Sequence, residues 1–391
     1  MSSDMQNCGN IKRVLIRSSW QSVNIGDIGH TPGLLAILRE IRPDLKLTLW
    51  PCDVGHGVKE MLQREFPEVA IIEGDVGSPG LQAAFAEHDF MLNGSGPSVV
   101  CAKDLMEWRR RTGKPYGIFG ATIERLDPEL KDLLDHADFI YCRETVSVDF
   151  IRNAQVRCPI IDFGPDATFA INLRDDRAAE AFLDKHGLEP GRFVCVIPRL
   201  RYTPYYKIHN YAPSEEDLRR AAVSNEFSEP DHAKLREAVV DMLDNSNVKI
   251  LICAEMTYEV ELGKELIYDR LPDKYLSRIV WRDSYWRPDE AASVYVAASL
   301  LVSFEMHSPI IALAAGTPAI YLRQPTDTCK GQMWRDIGLS EWIFEIGDIN
   351  GSNIAGKAVS IINNHQAAKN LAKQALAYAR KLQNDAFKQH P

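Results

Sequence analysis

Apolar residues in this chain come in short runs separated by amphipathic stretches, and the two alternate along most of its length. The runs Lys12–Arg17, Leu45–Trp50, Val69–Ile72, Asp89–Leu92, Pro115–Phe119, Asp138–Cys142 and Pro159–Ile161 predict strands. Helical spacing between them predicts helices at Gly29–Ile41, Val58–Phe66, Leu81–Ala86, Val100–Arg111, Pro128–Leu134 and Glu144–Arg152. Strands that alternate with helices over this length predict a mostly parallel sheet with helices on both faces. The rhythm breaks near Asn172, where a charged stretch, Asp175–Gly187, precedes the turn Glu189-Pro-Gly191.

A second alternating series opens at Phe193–Ile197. A long loop from Pro198 to about Pro230 follows, then a helix Asp231–Leu243, a strand Val248–Cys253, a helix Tyr258–Leu271, a strand Arg278–Trp281 and a helix Pro288–Ala298. The apolar run Leu300–Val302 predicts the next strand, followed by the polar knot Ser303, Glu305, His307 and Ser308. Ser308 is placed as an N-cap and Pro309 as the first residue of a helix that Gly316 ends. Pro318–Leu322 begins another strand. The tail, Gln366–Phe387, carries Ala368, Leu371, Ala372, Ala375, Leu376, Ala379 and Leu382 on one stripe, as an amphipathic helix would.

The expected fold class is therefore α/β. It comprises two Rossmann-like doubly wound domains facing a cleft and a C-terminal amphipathic helix, with segments 1–174, 190–364 and 365–391. Ligands of open α/β sheets bind at the carboxyl ends of strands, and helix N-termini there favour anions. That address makes His307 a candidate functional residue rather than a helix-capping one.

Composition narrows the picture further. A net charge of −9 disfavours nucleic acid or an anionic membrane surface as the main partner. The longest mostly apolar segment, Pro309–Leu322, is too short and too interrupted to span a bilayer. Met1–Ile11 is polar, so no signal peptide is expected. The 8 cysteines are scattered singly, which suits reduced thiols in the cytoplasm and carries no zinc signature. Cys52 and His56 lie close together but supply only two ligands. No metal or cofactor is expected.

Three strand-end loops of the first half carry polar residues: Asn24-x-Gly26-Asp27, Gly94-Ser95-Gly96 and Arg143-Glu144-x-x-Ser147. Gly26 and Gly94 also suit plain turns, and Arg143 and Glu144 equally suit pairing with neighbours. Gly94–Gly96 does not continue into the G-x-G-x-x-G dinucleotide spacing. In the second half, Arg199 and Arg201 lie in a basic, aromatic loop able to clamp a carboxylate or phosphate, and Lys330 adds a point charge.

In this order, the motifs Asn24-x-Gly26-Asp27, Gly94–Gly96, Arg143-Glu144-x-x-Ser147 and Asp166-Ala-Thr-Phe169 resemble those of the polysaccharide pyruvyl transferases. So does the His307 unit with Ala314-Ala-Gly-x-Pro318, Lys330 and Gly338-Leu339. The resemblance covers most of the chain. It implies a fold similar to the two-domain GT-B glycosyltransferases. It also implies an enzyme that moves a pyruvyl group from phosphoenolpyruvate to two hydroxyls of a sugar or lipid-linked saccharide, forming a ketal. On this resemblance His307 and Glu305 are the catalytic candidates. Asn24, Gly26, Asp27, Gly94, Ser95, Gly96, Arg143, Arg199, Arg201, Ser308 and Lys330 are the substrate-binding ones. The chain departs from the family at one place: Glu305 stands where Arg is usual, two residues before His307. The alternatives are a GT-B-like glycosyltransferase using a nucleotide sugar, and a non-catalytic sugar-binding member of the family.

Overall fold

The computed structural model describes residues 11–390. The expectation of no signal peptide rests on a segment that, apart from Ile11, lies outside them.

The chain divides into two compact units. The first comprises residues up to Ser22 with Asp27–Asn172 and Leu376 onward, and the second comprises Val23–Gly26 with Leu173–Ala375. The strands of the first unit are β1 (Arg13–Ser18), β2 (Lys46–Pro51), β3 (Ala70–Ile71), β4 (Phe90–Asn93), β5 (Tyr116–Ala121), β6 (Phe139–Cys142) and β7 (Ile161–Phe163). They form one parallel sheet in the order β3-β2-β1-β4-β5-β6-β7. The second unit holds β8 (Phe193–Ile197), β9 (Lys249–Ile252), β10 (Ile279–Trp281), β11 (Leu300–Ser303), β12 (Ala319–Arg323) and β13 (Ile343–Glu345). Their order, β10-β9-β8-β11-β12-β13, is again parallel throughout. The two arrangements share one logic. The chain builds outward from a central strand on one side, then returns to build outward on the other. In folds of this kind the loops after the two central strands part in opposite directions, and the crevice at their carboxyl ends is the ligand address. In the second unit those strands are β8 and β11, whose register pairs Ser303 with Ile197.

Several boundaries differ from the sequence reading. The loop expected over 198–230 is mostly helix, with a short helix Tyr205–Ile208 and a long one, Glu215–Asn245. Ser214 and Asp217 close a capping box at its start, with Asp217 N donating to Ser214 Oγ at 3.1 Å and Ser214 N to Asp217 Oδ2 at 2.9 Å. Pro230 therefore lies inside a helix instead of ending a loop. It sits on the exposed side, where water can satisfy the carbonyl that loses its partner. β7 is displaced toward Phe163, because Pro159 has no N–H to give a ladder. Strand β13 and the helix Gly351–Asn363 are additional to the predicted set. The helix starts on an Asn350–Asn353 capping box, a less telling sequence signal than Ser-x-x-Glu.

The predicted C-terminal helix runs His365–Gln389. Its buried stripe is Ala368, Ala372, Ala375, Ala379, Gln383, Ala386 and Phe387, spaced by three or four residues. Within the first unit, Phe387 packs on Phe119 and Arg380 pairs with Glu40 at 2.6 Å. Gln383 is fully buried, and its amide donates to the Asp166 carbonyl at 2.7 Å and the Pro165 carbonyl at 3.3 Å. Gln383→Ala leaves both carbonyls without this donor. We expect it to lower stability by about 1–3 kcal/mol in denaturant unfolding.

Candidate functional site

The crevice of the second unit is lined by the residues that follow its central strands. After β11 the backbone bends through Phe304–Met306, and a helix starts at His307 and runs to Ala314. Ser308 is consequently the second residue of the helix and not its cap. Its hydroxyl instead accepts from the Tyr295 hydroxyl at 3.2 Å. Pro309 stays within the first turn, where no N–H is required.

The capping role belongs to Glu255, which follows β9. Its Oε2 accepts from the Ser308 N–H at 2.5 Å, and its Oε1 lies 3.5 Å from His307 Nδ1. The anion that the helix N-terminus attracts is thus the protein's own carboxylate. Burial alone would raise the Glu255 carboxyl. The hydrogen bond and charge of His307, with the Ser308 contacts, overcome it and hold the group below its ordinary range.

An extended backbone would turn the side chains of Glu305 and His307, two residues apart, the same way. The bend before the helix removes that geometry. Glu305 turns instead to Arg199, whose Nε lies 2.8 Å from its Oε1. Arg199 Nη1 also donates to Asp327 and to Gln324 Oε1. Asp327 gathers Lys330 Nζ at 3.5 Å, the Tyr321 hydroxyl at 2.7 Å and the Gln324 N–H at 3.0 Å. Arg201 is committed elsewhere. It makes a two-pronged contact with Asp231 at 2.9 and 3.0 Å and stacks on Phe227 at 3.5 Å. The three cations expected to receive an anionic donor, Arg199, Arg201 and Lys330, are each matched by an internal carboxylate.

Glu259 completes the acidic cluster. Its Oε2 accepts from the backbone of Glu255 at 2.8 Å and of Met256 at 3.0 Å. Burial, then the negative charges of Glu305 and Glu255, push its carboxyl well up. Burial likewise raises Glu305, against the pull of Arg199.

Asn24 and Gly26 meet this site within the same unit. Asn24 forms an isolated antiparallel bridge with Met256, and Ile25 N donates to the Glu255 carbonyl at 3.0 Å. The Asn24 side chain accepts from Gly26 N at 2.7 Å. A Cβ on Gly26 would lie 2.3 Å from His307 Cβ and 2.5 Å from Nδ1. Glycine is therefore required for the backbone to abut the imidazole. Glu255, Glu259 and Asp327 were missed in the sequence. Glu255 follows a predicted strand directly, which is the same signal that singled out His307.

The remaining candidates lie in the first unit and are mostly buried. Arg143 is 1% exposed. Its Nη1 reaches Asp166 Oδ2 at 2.9 Å and its Nε donates to Thr122 Oγ1 at 2.7 Å. The Thr122 hydroxyl donates to Glu144 at 3.0 Å, and Ser147 donates to the same carboxylate. His30 Nε2 stands 3.3 Å from Asp166. Of the two readings of Arg143 and Glu144, pairing with neighbours is the arrangement found. Gly94 packs close to Ser18 Oγ, which a Cβ would meet at 2.8 Å. The Ser95 hydroxyl accepts from Ala167 N at 2.9 Å, and Gly96 bridges Ala121. Asp27, half-buried, receives the Gln21 amide.

Two doubly wound units of matching strand order define a GT-B-like fold. Solved structures with the same fold include UDP-GlcNAc 2-epimerase from Neisseria meningitidis bound to UDP-GlcNAc (TM-score 0.57, 9% identity, 96% of this chain and 98% of that one). Anabaena HepE in complex with UDP also shares it (0.55, 14%, 97% and 98%). So does the ADP-heptose lipopolysaccharide heptosyltransferase II of E. coli (0.53, 14%, 91% and 100%). At these identities the likeness concerns the fold alone. No curated protein matches the chain. The family model of the polysaccharide pyruvyl transferases matches residues 24–324, and the chain belongs to that family of transferases. No helix among the described residues is long and apolar enough to cross a membrane.

Asp327→Asn tests the charge network. Burial would raise the Asp327 carboxyl, but Arg199 and Lys330 hold it far below the ordinary value. A depressed folded pKa contributes stability that is present above the unfolded value, about 3.9, and is lost as pH falls below it. Removing one partner of a buried pair costs about 3–5 kcal/mol. Urea unfolding should show the gap between wild type and Asp327→Asn widest near neutral pH and shrinking below about pH 4.

Proposed function

We propose that this protein transfers a pyruvyl group from phosphoenolpyruvate to two hydroxyls of a polysaccharide or its sugar precursor. His307, oriented by Glu255, acts as the acid–base group. The single observation behind this reading is the His307–Glu255 pair at the carboxyl end of a central strand, packed on the motif residue Gly26, in a chain of this family.

In this reaction a proton adds to the methylene carbon of the donor and makes C2 electrophilic. One sugar hydroxyl bonds to C2 and gives up its proton. The C2–O bond to phosphate breaks, and a second hydroxyl closes the ketal with loss of its own proton. His307 supplies the proton to carbon and recovers one from a hydroxyl, the general acid–base work for which an imidazole serves. Glu255 fixes the imidazole by its Nδ1 side and stabilises the positive charge that the ring carries between steps. Glu305 is not an anion ligand here; its charge is turned on Arg199.

The fold shared with proteins solved with UDP or UDP-GlcNAc supports a second reading, in which the donor is a nucleotide sugar. Thermal-shift measurements with phosphoenolpyruvate, UDP-sugars and inorganic phosphate separate the two, since a ligand of the native state raises its stability. Stabilisation by phosphoenolpyruvate supports pyruvyl transfer, and stabilisation by UDP-sugars alone replaces it with glycosyl transfer.

His307→Gln should lower kcat by about 10²–10⁴-fold while leaving the melting temperature near that of wild type. Glu255→Gln keeps an acceptor for the Ser308 N–H but loses the charge, and should lower kcat by about 10²-fold. Full transfer activity in His307→Gln would remove the histidine from the mechanism.

A further inference from the structure

Far from His307 in sequence, the first unit carries a pair of cysteines with no part in that chemistry. Cys52 directly follows β2, and Cys101 directly precedes the helix Ala102–Thr112. Their Sγ atoms are 3.1 Å apart, across 49 positions of sequence. Cys52 is exposed and Cys101 partly so. Cys101 holds a left-handed backbone, φ 56° and ψ 38°, which is uncommon for a residue with a side chain. Arg17 Nη2 approaches Cys101 Sγ at 3.4 Å. Arg17 is itself fixed by Asp104 at 2.7 Å, by the Trp50 carbonyl at 2.9 Å and by the Trp50 ring 4.3 Å away. Cys52, Arg17, Trp50 and Asp104 line one cavity of about 520 Å³, so the pair borders an open space.

We infer that Cys52 and Cys101 form a reversible dithiol–disulfide site, oxidised by a peroxide and reduced by an external dithiol. Geometry carries the inference. The sulfurs need to close by only about 1 Å to reach bonding distance. A guanidinium approaches the sulfur that would ionise, and a cation beside a thiol favours its reactive thiolate. The Cys101 thiol is lowered to about 7 by the hydrogen bond from Cys52, against burial and with help from Arg17, while the same hydrogen bond pushes Cys52 up. Of the two sulfurs, Cys101 is therefore the more readily ionised. Two sulfurs alone make a poor zinc site, which takes four ligands.

The chemistry balances as follows. The Cys101 thiolate attacks a peroxide oxygen, the O–O bond breaks, and hydroxide leaves, giving a sulfenic acid. Cys52 sulfur then attacks Cys101 sulfur and the S–O bond breaks. The departing hydroxide takes the Cys52 proton as water. Both sulfurs are oxidised and the peroxide is reduced. A small dithiol reverses the bond by exchange.

The test is non-reducing peptide mapping of the full-length protein after hydrogen peroxide, with circular dichroism to verify that it is native. The expected product is one cross-linked peptide pair containing Cys52 and Cys101, lighter by two hydrogens and restored by dithiothreitol. In Cys52→Ser, Cys101 should accumulate as a sulfenic acid trapped by dimedone. In Cys101→Ser, Cys52 should stay unmodified at the same dose. Two free thiols in native protein at a dose that oxidises glutathione would overturn the inference. So would Cys52 proving the oxidised residue in Cys101→Ser.

Discussion

A charge taken out of water must find an opposite charge or a set of hydrogen bonds, and the interior of this protein is arranged around that demand. In the second unit Arg199 is held between Glu305 and Asp327, with Lys330 and Tyr321 closing on the aspartate. In the first, Arg143 is held by Asp166 and Thr122, with His30 on the same carboxylate. Both networks lie just beyond the carboxyl ends of strands, where backbone hydrogen bonding stops and side chains take over. Each charge there is both a structural member and part of the local field.

The consequence for the candidate site is a change of roles. The position two residues before His307 carries Glu305. Glu305 is paired with Arg199, which Asp327 also holds. His307 obtains its carboxylate from another strand end, Glu255, which also caps the helix that His307 begins. One side chain thus meets both the ring and the start of its helix, which ties the geometry of the imidazole to the stability of the element bearing it. Gly26 completes the arrangement by letting backbone lie against the imidazole.

The alternation of short apolar runs with amphipathic stretches made the α/β class legible. The periods of strand and helix differ, and each leaves its mark on the residues that must be buried. His307 was legible because a polar residue after a buried run falls at the functional edge of a parallel sheet. The helix through Pro230 was not, since a proline reads as a break and only its place on the solvent side makes it harmless. β13 was too short to show a period. Arg201 looked available in the chain, because a sequence lists charges without their partners.

What the sequence determined by itself is local and periodic: which segments bury a face, and which polar residues stand at strand ends. Tertiary structure decided the pairings. That Glu255 rather than Glu305 meets His307, and that Asp327 and Asp231 take up the arginines, depends on which loops the strand order brings side by side. The reason is physical. Helix and strand periods arise from neighbours a few residues apart, whereas Arg199 and Asp327 are 128 positions apart and meet only when β8, β11 and β12 have paired.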